Sequence, residues 1–170
     1  MMPSQDFFIQ IMKSLDISKA HTVIVYETGK GWFANRAAFM FRSMGHPNVK
    51  VLDGHFAKWT KEGKPVEADA NVATEADFAY AYNGESVMNY DDIVKVRDDK
   101  SVQIVDTRPP GGFTAGNIPG SVNVPTPSLY ADDGSLKSKD ELKVIFAGAN
   151  VDLEKPCAFT CGGGIMATVG

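Results

Sequence analysis

Pro156-Cys157-Ala158-Phe159-Thr160 runs without a break into Cys161-Gly162-Gly163-Gly164-Ile165-Met166-Ala167. The first five residues read as a short apolar strand, and the glycines that follow let backbone approach a ligand closely. The loop reads as the opening of a helix, so a sulfur at this junction faces several backbone N–H groups. A helix N-terminus favours an anion by roughly 0.3–2 kcal/mol, which lowers a thiol pKa and enlarges the thiolate fraction near neutral pH. Cysteine is as a rule a small buried hydrophobe. The glycine run is what sets Cys161 apart as a candidate nucleophile, whereas Cys157, inside the strand, reads as inert core.

Outward from that junction the chain alternates helix and strand. Asp6 to Leu15 places Phe8, Ile11, Met12 and Leu15 on one helical face, with Ser4 as cap. Thr22 to Tyr26 is short and β-branched and reads as a buried strand. Trp32 to Met44 is a helix closed by Gly45, Val49 to Leu52 a strand, and Phe56 to Glu62 a short helix closed by Gly63 and Pro65. Glu67 to Asn89 is rich in Ala, Glu, Asp and Asn and reads as a linker, with an edge strand around Phe78 to Tyr82. The second half restarts with a helix over Tyr90 to Val96 and a buried strand over Val102 to Val105 that runs into Asp106-Thr107-Arg108. A helix over Ser138 to Phe146 then precedes the strand that ends at Cys161. This rhythm predicts an α/β protein with parallel sheets flanked by helices.

The halves repeat. Ser4-Gln5-Asp6, a helix, then Asp16-Ile17-Ser18-Lys19 before a strand matches Ser138-Lys139-Asp140, a helix, then Asp152-Leu153-Glu154-Lys155 before a strand. The strand ends Glu27 and Cys161 then correspond, at an offset of about 134 residues, as a duplicated module requires. The 170-residue chain is shorter than two such modules. It is expected to hold the later part of a first copy over residues 1–68, a linker over 69–89, and over 90–170 a second copy truncated after its loop.

Bulk properties exclude some functions. With 17 Lys and Arg against 21 Asp and Glu and no basic run, neither nucleic acid nor an anionic membrane is an expected partner. No apolar stretch has the roughly 18 residues of a membrane span, and no targeting segment is visible. Cys157 and Cys161, about 13 Å apart along one strand, are too far apart for a bridge, which suits a reducing compartment, cytoplasm or mitochondrial matrix. His21, His46 and His55 share no ligand spacing, so no metal and no cofactor is expected. Trp32, Phe56 and Trp59 read as core.

The residues resemble the rhodanese superfamily, specifically its tandem-domain sulfurtransferases acting on thiosulfate or 3-mercaptopyruvate. The resemblance runs in family order through Met40-Phe41-Arg42-Ser43-Met44-Gly45-His46, Val51-Leu52-Asp53-Gly54-His55-Phe56-Ala57-Lys58-Trp59, Gly63-Lys64-Pro65-Val66, Val105-Asp106-Thr107-Arg108, Gly116-Asn117-Ile118-Pro119-Gly120-Ser121-Val122-Asn123-Val124-Pro125 and Cys161 to Ala167. It implies that the first module is inactive, with Glu27 at its loop. In the second, Cys161 carries a persulfide, and the backbone of Gly162, Gly163, Gly164, Ile165 and Met166, with Arg108, binds the substrate. A small-molecule sulfur donor and a thiol or cyanide acceptor are the implied partners, with another chain completing the truncated modules.

The departures from the pattern are specific. Gly163 and Met166 stand where polar or basic residues and threonine are usual, Asn117 replaces a histidine, and Gly112 replaces an arginine that grips the donor's anion. A loop free of cations leans toward mercaptopyruvate over thiosulfate. The same departures also suit a catalytically degenerate structural or docking subunit. Gly162 to Ala167 fits a dinucleotide fingerprint as well, but that motif opens a fold and needs an acidic residue about 20 positions on. A cysteine phosphatase needs arginine where Ala167 stands.

Overall fold

The computed structural model describes residues 2–68 and 81–170, which divide into two compact units, Met1–Ser86 and Val87–Gly170. The expected edge strand around Phe78, and most of the expected linker, lie outside the described residues. Among those described, no helix is long and apolar enough to cross a membrane.

In the first unit, α1 (Gln5–Ser14), β1 (Val23–Val25), α2 (Trp32–Ser43), β2 (Val49–Val51) and α3 (His55–Lys61) follow the sequence rhythm. The Ser4 side chain accepts the Phe7 N–H at the start of α1. β1 and β2 pair in parallel, Val23 opposite Val49. Phe8 and Met12 of α1 pack against Ala38 and Phe41 of α2, with Met44 and Val49 completing the core. The Phe8 and Phe41 rings meet edge to face at 5.3 Å, a geometry that aromatic quadrupoles favour. The expectation of a buried first strand is corrected here: Ile24 is 59% exposed and Tyr26 57%. Nor are Trp32, Phe56 and Trp59 core, for all three are half-buried, and Phe56 and Trp59 line an open groove beside β1.

The second unit contains α4 (Tyr90–Asp99), β3 (Gln103–Asp106), α5 (Pro110–Thr114), β4 (Val122–Asn123), α6 (Lys139–Gly148) and β5 (Cys157–Thr160). Capping boxes start α4 at Asn89 and α6 at Ser138, each satisfying two otherwise unpaired N–H groups. The three strands are parallel in the order β4-β3-β5. β3, flanked on both sides, buries Ile104, Val105 and Asp106. Val105 joins Val124, Leu129, Phe146 and Val151 in the core.

α1 and α6, with their serine caps, and β1 and β5 recur at one spacing along the chain. After each helix the Ile17 N–H donates to the Met12 carbonyl and the Val151 N–H to the Phe146 carbonyl, both at 2.9–3.0 Å. The residue just before each of these turns is left-handed, Asp16 at φ 54° and Asn150 at φ 59°. This corrects the register read from sequence, in which Asp16 matched Asp152; its counterpart is Asn150. Short polar side chains tolerate that conformation best after glycine. Asn150→Val is expected to cost about 1–2 kcal/mol and Asn150→Gly to be near neutral, as read by urea denaturation.

Candidate active site

The register of β3 against β5 sets the site. Asp106 lies opposite Thr160, so Arg108 and Cys161 emerge from the carboxyl ends of adjacent strands, where open parallel sheets place their functional loops. One residue past the pair, the Thr107 N–H and hydroxyl both donate to the Thr160 carbonyl, at 2.8 and 3.0 Å, which fixes where β5 stops.

Cys161 is half-buried and free, as is Cys157. The Gly164 N–H donates to its Sγ at 3.0 Å. Burial pushes the Cys161 thiol up, but the N–H groups of Ala167, Gly163, Gly164 and Ile165 outweigh it and hold the thiol below its ordinary value. Of the residues expected to cradle the sulfur, Gly163, Gly164 and Ile165 face it; Ala167 joins them unforeseen. Gly162 and Met166 are not among these donors, and the Met166 carbonyl instead accepts from Thr126 at 3.2 Å. Gly164 turns the loop at φ 71°, a conformation glycine takes at no steric cost. Cys157 behaves oppositely, burial raising its thiol despite a bond from Gln103.

The expected helix after the loop is corrected: Met166–Thr168 is a single 3-10 turn. Individual N–H groups aimed at sulfur, a backbone nest, favour the thiolate here.

Arg108 forks onto Asp106, its Nε 3.0 Å from both carboxylate oxygens and its Nη2 2.6 Å from one, and Nη2 also reaches the Gly116 carbonyl at 2.6 Å. The Asp106 side chain is 2% exposed. Burial opposes its charge, yet the Arg108 side chain and backbone bonds hold its carboxyl below the usual range. Asn123 closes the bracket, its amide donating to the Asp106 and Arg108 carbonyls at 2.8 and 2.9 Å. Arg108 is thus anchored by Asp106, which, with a smaller contribution from Cys161, favours its protonated form further. The loop itself carries no cation, as its sequence shows, and a cleft of about 570 Å³ lined by Cys161 also includes Arg108 and Arg97. Asp106 and Asn123 stand within segments that carry the resemblance but had no role assigned to them, and Thr126 lies just outside those segments.

The first unit has a different occupant at the matching place. The Glu27 carboxylate accepts the Gly31 and Ala34 N–H groups, both at 2.7 Å, at the start of α2. No group of three or more His, Cys, Asp or Glu side chains able to hold a metal ion occurs among the described residues.

The Rhodanese-like domain family model matches residues 1–62 and 89–169. The chain is 34% identical over 178 residues to thiosulfate sulfurtransferase from Gallus gallus, covering 98% of this chain and 62% of the relative. It is also 34% identical over 180 residues to 3-mercaptopyruvate sulfurtransferase from Escherichia coli K12, covering 99% and 64%. It therefore spans just under two thirds of the length of these curated relatives. Among solved structures, the 3-mercaptopyruvate sulfotransferase SseA from Escherichia coli superposes with a TM-score of 0.91 at 35% identity, covering 99% of this chain and 67% of that one. The structure of EanB, at 19% identity and TM-score 0.86 over 98% of this chain and 47% of its own, shares the fold alone.

Asp106 has a depressed carboxyl in the folded state, so its pairing contributes stability above the unfolded carboxyl pKa, about 3.9, and loses it as pH falls through the folded value. Wild-type protein is expected to lose stability on acidification through that window, and Arg108→Leu to lose markedly less, in chemical denaturation between pH 3 and 7.

Proposed function

The chain belongs to the rhodanese-like domain family, and from that premise we propose that it is a sulfurtransferase that carries sulfane sulfur as a persulfide on Cys161. The observation that carries this reading is the Cys161 Sγ under the Gly164 N–H at 3.0 Å, with three further loop N–H groups favouring its thiolate.

The thiolate attacks the sulfane sulfur of a donor, forming a new S–S bond. With thiosulfate, the donor's S–S bond breaks and its electron pair leaves on sulfite. With 3-mercaptopyruvate, the C–S bond breaks and the pair passes to an enolate, which takes up a proton to become pyruvate. A thiol or cyanide then removes the terminal sulfur and restores the thiolate, two displacements through one covalent intermediate. The N–H groups of Gly163, Gly164, Ile165 and Ala167 hold the negative sulfur in both states. Gly162 and Met166 shape the loop, and Arg108 braces the end of its own strand through Asp106 and the Gly116 carbonyl while presenting positive charge to the thiolate.

The recurrence of cap, helix, turn and strand supports reading the chain as parts of two duplicated modules: 1–68 from a first, 69–89 a linker, and 90–170 a second. The Glu27 carboxylate, bonded to two loop N–H groups, suits a first module that does no sulfur chemistry. A free thiolate nucleophile suits a compartment where thiols stay reduced, cytoplasm or mitochondrial matrix.

Incubation with 3-mercaptopyruvate or thiosulfate is expected to add about 32 Da, one sulfur, to wild-type protein but not to Cys161→Ser, by intact-mass spectrometry. A folded protein that gains no sulfur from either donor is instead a structural or docking subunit. At Gly112, where the family resemblance implies an arginine, an added Cβ meets Arg108 at an ordinary 3.6 Å. Gly112→Arg is expected to strengthen donor binding roughly tenfold, as a charged hydrogen bond worth about 1.5 kcal/mol would, measured as the half-saturating donor concentration for sulfur loading.

A further inference from the structure

Two buried threonines hold the Cys161 loop at its two ends. Thr107 and Thr126 are 1% and 0% exposed. Before the loop, the Thr107 N–H and hydroxyl both donate to the Thr160 carbonyl, at 2.8 and 3.0 Å. At its far end the Thr126 hydroxyl donates to the Met166 carbonyl at 3.2 Å, beside the Val169 N–H at the same distance. The threonines are joined to each other, the Thr126 N–H donating to the Thr107 carbonyl at 3.0 Å. Thr126 opens a 3-10 turn, Thr126–Leu129, and Leu129 sits in the core, so its backbone is anchored independently of the loop.

The Met166 carbonyl and the Ala167 N–H belong to one peptide group. Such a group is planar and trans, so its carbonyl and N–H point in opposite directions. A bond that fixes one end therefore aims the other. Here the other end faces the Cys161 sulfur, and among the loop N–H groups that of Ala167 does most to lower the thiol. A bond accepted by the carbonyl also polarises the N–H across the peptide.

We propose that Thr126 is a positioning residue for the Cys161 nucleophile, holding the Met166–Ala167 peptide so that its N–H stays on the sulfur. The proposal deepens the reading of Cys161 as the sulfur carrier and rests on it. Thr168 supplies an internal comparison. Its hydroxyl donates to the Ile165 carbonyl at 2.7 Å, but the N–H of that peptide belongs to Met166, which is not among the donors to sulfur.

The thiolate absorbance step of Cys161, taken against the matching Cys161→Ser protein, is measured in wild type, Thr126→Val, Thr126→Ser and Thr168→Val. Thr126→Val is expected to raise the step by about half a pH unit or more, since an N–H bonded to the charged form favours that form. Thr126→Ser, which keeps the hydroxyl, is expected to stay near wild type, as is Thr168→Val. A lowered urea midpoint with an unmoved step in Thr126→Val, or an equal rise in Thr168→Val, would make Thr126 merely structural and overturn the proposal. In wild-type protein the Ala167 amide proton is expected to shift with the same step by NMR. An Ala167 signal that ignores the step would overturn the proposal however the variants fold. The step is measured without any donor, so a protein that shows these shifts but gains no sulfur by intact mass contradicts the sulfurtransferase reading and not the positioning.

Discussion

The parallel register of β3 against β5 is the constraint on which the site depends. With Asp106 opposite Thr160, the chain leaves two adjacent strands at the same level, one into Arg108 and the other into Cys161. A slip of one residue would reverse the faces of every β3 side chain, carrying Asp106 and Arg108 away from Asn123 and Thr107 away from the Thr160 carbonyl. The Asp106–Arg108–Asn123 bracket and the two Thr107 bonds to the Thr160 carbonyl hold this level. The loop that follows Cys161 therefore starts from a fixed point, and its N–H groups converge on sulfur.

The two units treat the same backbone opportunity in opposite ways. In the first, a carboxylate of the chain itself, Glu27, fills the N–H groups at the start of α2. In the second, the loop N–H groups face the Cys161 sulfur, small enough to leave the loop open to solvent. Gly162 and Gly163 are exposed and an added Cβ at either meets nothing within 4 Å, so a donor can approach the sulfur.

Much of this was legible in the sequence because it is local. Ser4, Asn89 and Ser138 cap helices through bonds spanning three residues, and the helix periodicity over Gln5–Ser14 and Lys139–Gly148 is set by their own apolar faces. Cys161 was legible because glycines directly after a strand-end nucleophile leave few other uses. What escaped depends on partners far along the chain. Asn123 and Thr126 act on backbone 15 to 40 residues away, and no pattern around them says so. Ile24 has the composition of a buried strand residue, but burial is decided by what lies beside its strand, and among the described residues β1 pairs with β2 alone. The expected helix after Gly164 failed for a similar reason: the Met166 carbonyl takes the Thr126 hydroxyl, and the Thr168 and Val169 N–H groups turn back tightly at i−3.

The central claim is that backbone N–H groups aimed at its sulfur hold the Cys161 thiol below its ordinary value. Ultraviolet thiolate absorbance, taken as the difference between wild-type protein and Cys161→Ser across a pH titration, measures this directly. The account predicts a step at a pH below the ordinary thiol range, with the Cys157 step, read in the Cys161→Ser protein, above it. A Cys161 step at or above that of Cys157 would contradict it.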